Sequence, residues 1–422
     1  MSFASLGLSP ALVRAASDQA FSDPTPIQAA AIPVVLQGRD VLATARTGSG
    51  KTAAYGLPVL QALLDSHQAG RSHGGVLVLV PTRELATQVA DTLRVLSQSL
   101  PVSLKVVVAF GGVSINPQMM ALRGGADIVV ATPGRLLDLI DHHALGLGGV
   151  SVLVLDEADR LFDLGFADEM QRIVDMLPPQ RQSLFFSATF PQPVQALANA
   201  LLHEPERIEV VQDEAEVADI EQRAIEVDTQ DRTPLLRHLL AQQGWSRVMV
   251  FVATKYSAEH VADKLARQGI KAKPLHGELS QGARTLALGD FKAGRLQVLV
   301  ATDLAARGID IAQLPAVVNY DLPRSAVDYT HRIGRTGRAG EKGVAVSFIS
   351  ADTESHFRLI EKRQGQRVPR ERIEGFEPEG VASDKAVPDA SAHRPDPNGG
   401  IKGKRKSKKD KLREAAARQQ GD

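Results

Sequence analysis

The chain has 422 residues, 43% of them hydrophobic and 23% charged, which excludes disorder along most of its length and leaves room for two or three folded domains. It has no cysteine, which excludes disulfides, Cys-ligated zinc, iron–sulfur clusters and a cysteine nucleophile. The formal charge is zero, but residues 401–422 hold nine Lys/Arg against three Asp/Glu, or +6, and the preceding 400 hold 40 against 46, or −6.

In chain order, residues 41–43 form a short strand-like run ahead of a Gly-rich loop. Residues 76–80, 105–110, 127–131, 150–155 and 183–187 read as buried strands, rich in Val, Ile and Leu, with helix-like stretches between them. Near-continuous apolar strands alternating with helices predict a parallel sheet covered on both faces. Residues 211–219 are acidic with little to bury and read as a linker. The rhythm restarts at 248–252, 272–275, 297–301, 317–320 and 344–349, predicting a second α/β domain of similar style. From residue 367 the periodicity fades. Pro378, Pro388, Pro395 and Pro397 stand among Gly, Ser, Ala and Asp, a composition that predicts a disordered linker into a basic segment at 402–418. No apolar run approaches the roughly 20 residues of a membrane span, and the N-terminus lacks the pattern of a secretory signal, so a cytoplasmic protein without membrane contact is expected.

Three segments carry chemistry. The first is Ala45-Arg46-Thr47-Gly48-Ser49-Gly50-Lys51-Thr52, placed between a strand and a helix as a phosphate-binding loop requires. Gly48 and Gly50 let backbone N–H groups approach phosphate oxygens, Lys51 reaches the β/γ-phosphates and the Thr52 hydroxyl suits magnesium. Ala45 departs from the usual first glycine, and a Gly-rich turn with a chance lysine is the bland alternative. The second is Asp156-Glu157-Ala158-Asp159, at the end of an apolar strand. Asp156 there suits magnesium and Glu157 suits the activation of water; a solvated acidic helix start is the alternative. The third is His331-Arg332-Ile333-Gly334-Arg335-Thr336-Gly337-Arg338, whose arginines at three-residue spacing and two glycines suit an anion better than a plain basic helix face. An arginine presented to a γ-phosphate contributes about 10³–10⁵ in rate.

With these segments in this order, the sequence resembles the DEAD-box ATP-dependent RNA helicases of superfamily two, over roughly residues 3–365. Among bacterial members it is most similar to the RhlE-type subgroup. The resemblance implies two tandem RecA-like α/β domains: a Q-motif region at 1–31, an ATP-binding domain at 32–212, a linker at 213–219, a C-terminal helicase domain at 220–366, and a disordered linker and basic tail at 367–422. It implies ATP and Mg²⁺ as ligands, with Thr52 and Asp156 toward the metal and Lys51, Asp156, Glu157, Arg335 and Arg338 as the catalytic set. The Q motif matches residues 20–28, so Gln28 is expected to read the adenine edge, with Phe3 or Phe21 packing on the base. Ala20 replaces the family's glycine; as alanine is nearly as small, little consequence is expected. Ala45 is normal for the family, and Arg46 replaces a common glutamine beside Thr47. Asp159, Ser187, Thr189 and His331 would couple hydrolysis to RNA, and Asp310 would reach the ribose.

The RNA-facing set is implied in the same way. Pro81, Thr82, Arg83, Gly112, Thr132, Pro133 and Arg135 match the first-domain motifs, and Thr254, Arg284 and Thr302 the second-domain ones. With aromatics at only 4%, contacts to the RNA backbone are expected to outweigh base stacking. RNA, single-stranded or in short duplexes, is the expected partner, in ribosomal or messenger ribonucleoprotein, with the enzyme a monomer that closes on ATP and RNA together. A DNA-directed motor and a non-hydrolysing, ATP-gated RNA clamp are the rival readings.

Overall fold

The computed structural model describes residues 2–45, 48–69, 75–210, 220–306, 309, 311, 313–337 and 342–378. Expectations for Arg46, Thr47, Asp310, Arg338, the linker at 213–219 and the basic segment at 402–418 lie outside the described residues.

The apolar runs of the first half become strands β1 (Val41–Thr44), β2 (Gly75–Leu79), β3 (Val106–Ala109), β4 (Ile128–Ala131), β5 (Val150–Asp156), β6 (Gln182–Ser187) and β7 (Glu206–Glu209). They pair in the order β3-β4-β2-β5-β6-β1-β7, every pair parallel. Parallel pairing forces each connection across a face of the sheet, and helices fill those crossings. Both faces are therefore buried: in β5, Val152 and Val154 enter one core while Leu153 and Leu155 enter the other. Phe3, Leu6, Leu12, Ile27 and Ile32 join the first of these cores, so the N-terminal segment is part of the first lobe.

The second half repeats the plan with β8 (Ile220–Glu226), β9 (Val248–Val252), β10 (Ala272–Leu275), β11 (Val298–Thr302), β12 (Ala316–Asn319), β13 (Gly343–Ile349) and β14 (Arg370–Glu371). Their order is β10-β11-β9-β12-β13-β8-β14. Numbered from its own first strand, each sheet runs 3-4-2-5-6-1-7. The α/β expectation of two RecA-like sheets thus takes the form of one topology used twice.

One boundary needs correction. Residues 367–378, read as the start of a disordered tail, form part of the second lobe. Strand β14 is the counterpart of β7 and pairs with β8 at Arg370↔Ala224 and Glu371↔Ile225. Ile373 and Phe376 pack against the core beneath β8, Phe376 lying 5.4 Å from the His238 ring. The Arg370 guanidinium meets Glu354 and Glu361 at 2.9–3.1 Å and lies 4.8 Å over the Phe357 ring. The segment is held by charge pairs and two apolar anchors, which leave little apolar periodicity to read.

Candidate active site

Strand order decides which loops meet. At the C-terminal edge of the first sheet, β1, β6 and β5 stand side by side, with Thr44 paired to Ser187 and Asp156 to Phe186. The three segments that leave this edge carry the phosphate loop, the Ser187-Ala188-Thr189 turn and Asp156-Glu157, in a crevice of the kind open α/β sheets use for ligands.

The loop leaves β1 through Ala45, whose N–H donates to the Ser187 carbonyl at 2.9 Å, and enters the helix Lys51–Gln68. Gly48 and Gly50 take the left-handed backbone, φ 85° and 91°. At Gly50 a second restriction applies, since a Cβ there would lie 2.4 Å from Gln28 Nε2. Lys51 is buried and its Nζ donates to the Ala45 carbonyl at 3.0 Å.

Gln28 is built into this loop. It forms a capping box with Thr25 at the start of the helix Pro26–Leu36, its Oε1 accepting from the Thr25 N–H at 3.0 Å. Its Nε2 donates to the Gly50 carbonyl at 3.2 Å, and Thr25 Oγ1 donates to the Ser49 carbonyl at 2.9 Å. The Q motif is thus a clamp on the phosphate loop, made by a buried Gln28 that has one further N–H and one further lone pair to offer. The two aromatic candidates separate. Phe3 is only 4% exposed and belongs to the core, so its expected stacking on a base is corrected. Phe21 is half-buried, 6.5 Å from the Phe3 ring, and is the one placed at the surface. Ala20 also differs from expectation: what matters is its φ of 58°, a conformation that glycine adopts without penalty, rather than its size.

At the end of β5, Asp156 and Glu157 are both buried. Burial raises the Asp156 pKa to about 6, opposed by the positive charge of Lys51. Tyr55 Oη donates to Asp156 Oδ2 at 3.0 Å, and Oδ1 finds no hydrogen-bond partner among the described residues. Glu157 has φ 53° and ψ 50° and caps the helix Ala158–Asp163; its Oε2 lies 3.7 Å from Arg160 Nε. The hydrogen bonds expected between Asp159 and the Ser187-Ala188-Thr189 turn are present. Asp159 Oδ2 accepts from Thr189 Oγ1 at 2.7 Å and from the Thr189 N–H at 3.1 Å, while Ser187 Oγ accepts from the Asp159 N–H and donates to the Thr189 carbonyl.

Residues of the second lobe reach this edge. Arg160 Nη2 lies 2.6 Å from His331 Nδ1. Arginine only donates, so Nδ1 is the acceptor and His331 is neutral. Burial first, then the Arg160 charge, lowers the His331 pKa to about 4. Arg335 is buried and donates from Nη1 to the Ile309 carbonyl at 2.6 Å. Arg332, between them, is internal: it forks onto both Asp303 oxygens at 2.6 and 2.7 Å and lies 5.0 Å over Phe251.

The RNA-expected residues follow strand ends as read, but two are committed elsewhere. Arg284 Nε meets Glu84 Oε1 of the first lobe at 2.9 Å, both side chains nearly buried, so it joins the lobes. Arg135 is buried and donates to the Val113 carbonyl at 2.7 Å, fixing the turn after Gly112. Arg83 packs on Gly112 so closely that a Cβ there would lie 2.2 Å from its guanidinium. Thr82 and Thr254 cap helices, accepting from the Leu85 and Ser257 N–H groups. Thr132 and buried Pro133 open the helix Pro133–Asp141; Pro81 is buried behind Thr82, and Thr302 ends β11 half-buried. Two residues of this edge were not singled out from sequence, Tyr55 and Arg160, whereas Glu84 belongs to the Pro81–Ala86 motif read for RNA and is found instead on Arg284. Tyr55 stands one helical turn beyond Thr52 and Arg160 directly follows Asp159, spacings that point to both.

Similarity to known proteins agrees with this geometry. A family model described as DEAD/DEAH box helicase matches residues 25–197, and one described as helicase conserved C-terminal domain matches residues 231–340. The DEAD-box ATP-dependent RNA helicase CshA of Bacillus subtilis is 39% identical over 370 residues, 88% of this chain and 74% of the relative. The ATP-dependent RNA helicase CshA of Listeria monocytogenes is 39% identical over 368 residues, 87% of this chain and 69% of the relative. The structure of S. cerevisiae Dbp5 bound to RNA and ADP BeF3 superposes with a TM-score of 0.76 at 32% identity, covering 88% of this chain and 95% of that one. The chain belongs to the DEAD-box RNA helicase family, and its two parallel sheets are that family's tandem RecA-like domains.

Proposed function

We propose that this chain is an ATP-dependent RNA helicase: ATP-Mg²⁺ and single-stranded RNA hold the two lobes together, a short duplex is opened locally, and hydrolysis resets the lobes. The observation that carries this reading is the Arg160–His331 contact at 2.6 Å, which ties the second lobe to the residue bracing Glu157. Lys51 would exchange the Ala45 carbonyl for phosphate oxygens, a charge-assisted bond about twice as strong as a neutral one. Glu157 would accept a proton from the attacking water, and Arg335, with Arg338, would face the γ-phosphate. The residues fit Mg²⁺: Asp156 offers a buried carboxylate oxygen with no protein partner, and Thr52 a hydroxyl close by in the same crevice. Mg²⁺ commonly takes one or two protein ligands and completes its shell from water and phosphate. When bound it neutralises charge on the phosphate oxygens.

Support for RNA as the nucleic acid comes from family membership and from relatives named as RNA helicases. Thr82, Arg83, Gly112, Thr132, Thr254 and Thr302 would meet its phosphates at the C-terminal strand edges. Residues 401–422, at +6, would anchor RNA non-specifically, so that their deletion weakens RNA binding at low salt and leaves RNA-independent hydrolysis intact. The finer assignment to an RhlE-type subgroup rests on the core-plus-basic-segment plan; the relatives above, named CshA, support the family alone. A cytoplasmic monomer acting on ribonucleoprotein completes the proposal; among the described residues no helix is long and apolar enough to cross a membrane. The test is steady-state ATP hydrolysis with RNA, with DNA of identical sequence and without nucleic acid, beside Glu157→Gln. RNA-specific stimulation, reduced about 10²–10⁴-fold in the variant, is expected. Equal stimulation by DNA, or none by either, overturns the RNA-coupled reading.

A further inference from the structure

We infer that Tyr55 is a positioning residue that presents Asp156 to the divalent cation by one oxygen only, and that it thereby sets the preference of this site for Mg²⁺ over Ca²⁺. The inference rests on the ATP-site reading above. Tyr55 is 1% exposed and lies one turn beyond Thr52 on the helix that starts at the phosphate loop. Its ring packs at 5.3 Å and 55° against Phe186, which is the register partner of Asp156 across β5 and β6. The ring is therefore fixed by the same pair of strands that fixes the carboxylate. Its phenol donates to Oδ2 at 3.0 Å and interacts with the Thr52 side chain, so one hydroxyl ties together both side chains assigned to the metal. The other oxygen, Oδ1, has no hydrogen-bond partner among the described residues.

A carboxylate held this way offers one oxygen. That suits Mg²⁺, which demands near-octahedral geometry at 2.0–2.1 Å, and disfavours Ca²⁺, which takes longer bonds and readily accepts both oxygens of one carboxylate. Partners that orient metal ligands typically matter about 10–100-fold in metal affinity or activity.

The experiment is a Mg²⁺ titration of fluorescent ATP-analogue binding by the full chain, in wild type and in Tyr55→Phe, which keeps the ring and removes only the hydroxyl. The midpoint is expected to rise about tenfold, with the Ca²⁺ midpoint moving less, so that discrimination between the ions narrows. Phe186→Leu, which loosens the ring and keeps the hydroxyl, is expected to shift the midpoint in the same direction by less. In an Asp156→Asn background the Tyr55 change should have no further effect. A Mg²⁺ midpoint within twofold of wild type, or an equal shift in the Asp156→Asn background, overturns the inference while leaving the ATP site standing. Wild-type binding indifferent to either ion removes the ATP-Mg²⁺ reading itself and the inference with it. Melting without nucleotide is measured alongside; a purely structural role would lower the melting temperature and leave the ratio of the two midpoints unchanged.

Discussion

Ala20 and Glu157 share a backbone that L residues avoid, φ 58° and 53°, for different reasons. Ala20 ends the turn after the first helix, where its N–H donates to the Ser17 carbonyl at 2.9 Å, and nothing in that turn needs a side chain. Ala20→Gly is expected to stabilise the protein by about 0.5–1 kcal/mol, because relief of the left-handed strain exceeds the added freedom of the unfolded chain. A thermal melt checks this. Glu157 takes the same conformation where β5 turns into the helix Ala158–Asp163, and its carboxylate lies beside Arg160. Strain at such a site is retained for function. Glu157→Gly relieves the backbone but removes the carboxylate beside buried Arg160, so little net change in melting temperature is expected as the two offset, while hydrolysis is lost about as fully as in Glu157→Gln. A large fall in melting temperature would mean that the Glu157 side chain supports the fold.

At the scale of elements, the strands found from sequence are mostly those whose residues are apolar on both faces; β10, with Lys273 paired to Asp290, is the exception. The ones missed are β7, β8 and β14, with sequences Glu-Arg-Ile-Glu, Ile-Glu-Gln-Arg-Ala-Ile-Glu and Arg-Glu. These lie at the β1 or β8 side of each sheet, where burial is partial and polar residues are tolerated, so apolar periodicity does not mark them. Strand β14 is secured instead by Arg370 between Glu354 and buried Glu361. Arg370→Ala would leave Glu361 as an uncompensated buried charge, and removing one partner of a buried pair costs about 3–5 kcal/mol. Loss of about half that is expected here, because Glu354 is nearer to solvent. Denaturant unfolding checks it, and Arg370→Lys is expected to recover only part, since lysine lacks the planar fork.

Across the whole molecule, side chains of the described residues join the lobes at two places: Glu84, which accepts from Arg284 and Gln281, and Arg160, which meets His331. Arg284→Ala should lower RNA-stimulated hydrolysis by roughly 10–10²-fold, as loss of a nearly buried charge pair implies. RNA-independent hydrolysis should change little. Equal loss of both rates would place Arg284 inside the chemistry rather than between the lobes. The second contact adds a dependence on pH. His331 has a depressed folded pKa, about 4 against an ordinary 6.5, so the unfolded or separated state binds the proton first. Its stabilising contribution is complete above pH 6.5 and is lost as pH falls toward 4. A protonated imidazole can no longer accept from Arg160 and adds a like charge beside it. Lobe closure in the presence of ATP and RNA, followed by energy transfer between dyes on the two lobes, is expected to weaken across that window. His331→Asn should flatten the pH dependence there; an unchanged acid limb would place it on another group.

The sequence by itself determined the α/β class, the division into two similar halves and the identity of the chemical groups. Apolar runs of strand length and the Gly-Lys-Thr and Asp-Glu-Ala-Asp segments are local signals, set by backbone and side-chain chemistry over a few neighbours. Tertiary structure decided what depends on contacts between residues distant in the chain. It turned Gln28 into a clamp on Gly50, moved Phe3 into the core, tied Arg284 to Glu84 and set Tyr55 against Asp156 across 101 positions. It also ordered β14 beside β8. A guanidinium in a sequence looks the same whether it will meet a phosphate or a buried carboxylate. Which one it meets is fixed by the strand order at each sheet's edge and by the approach of the second lobe, and neither is a property of local sequence.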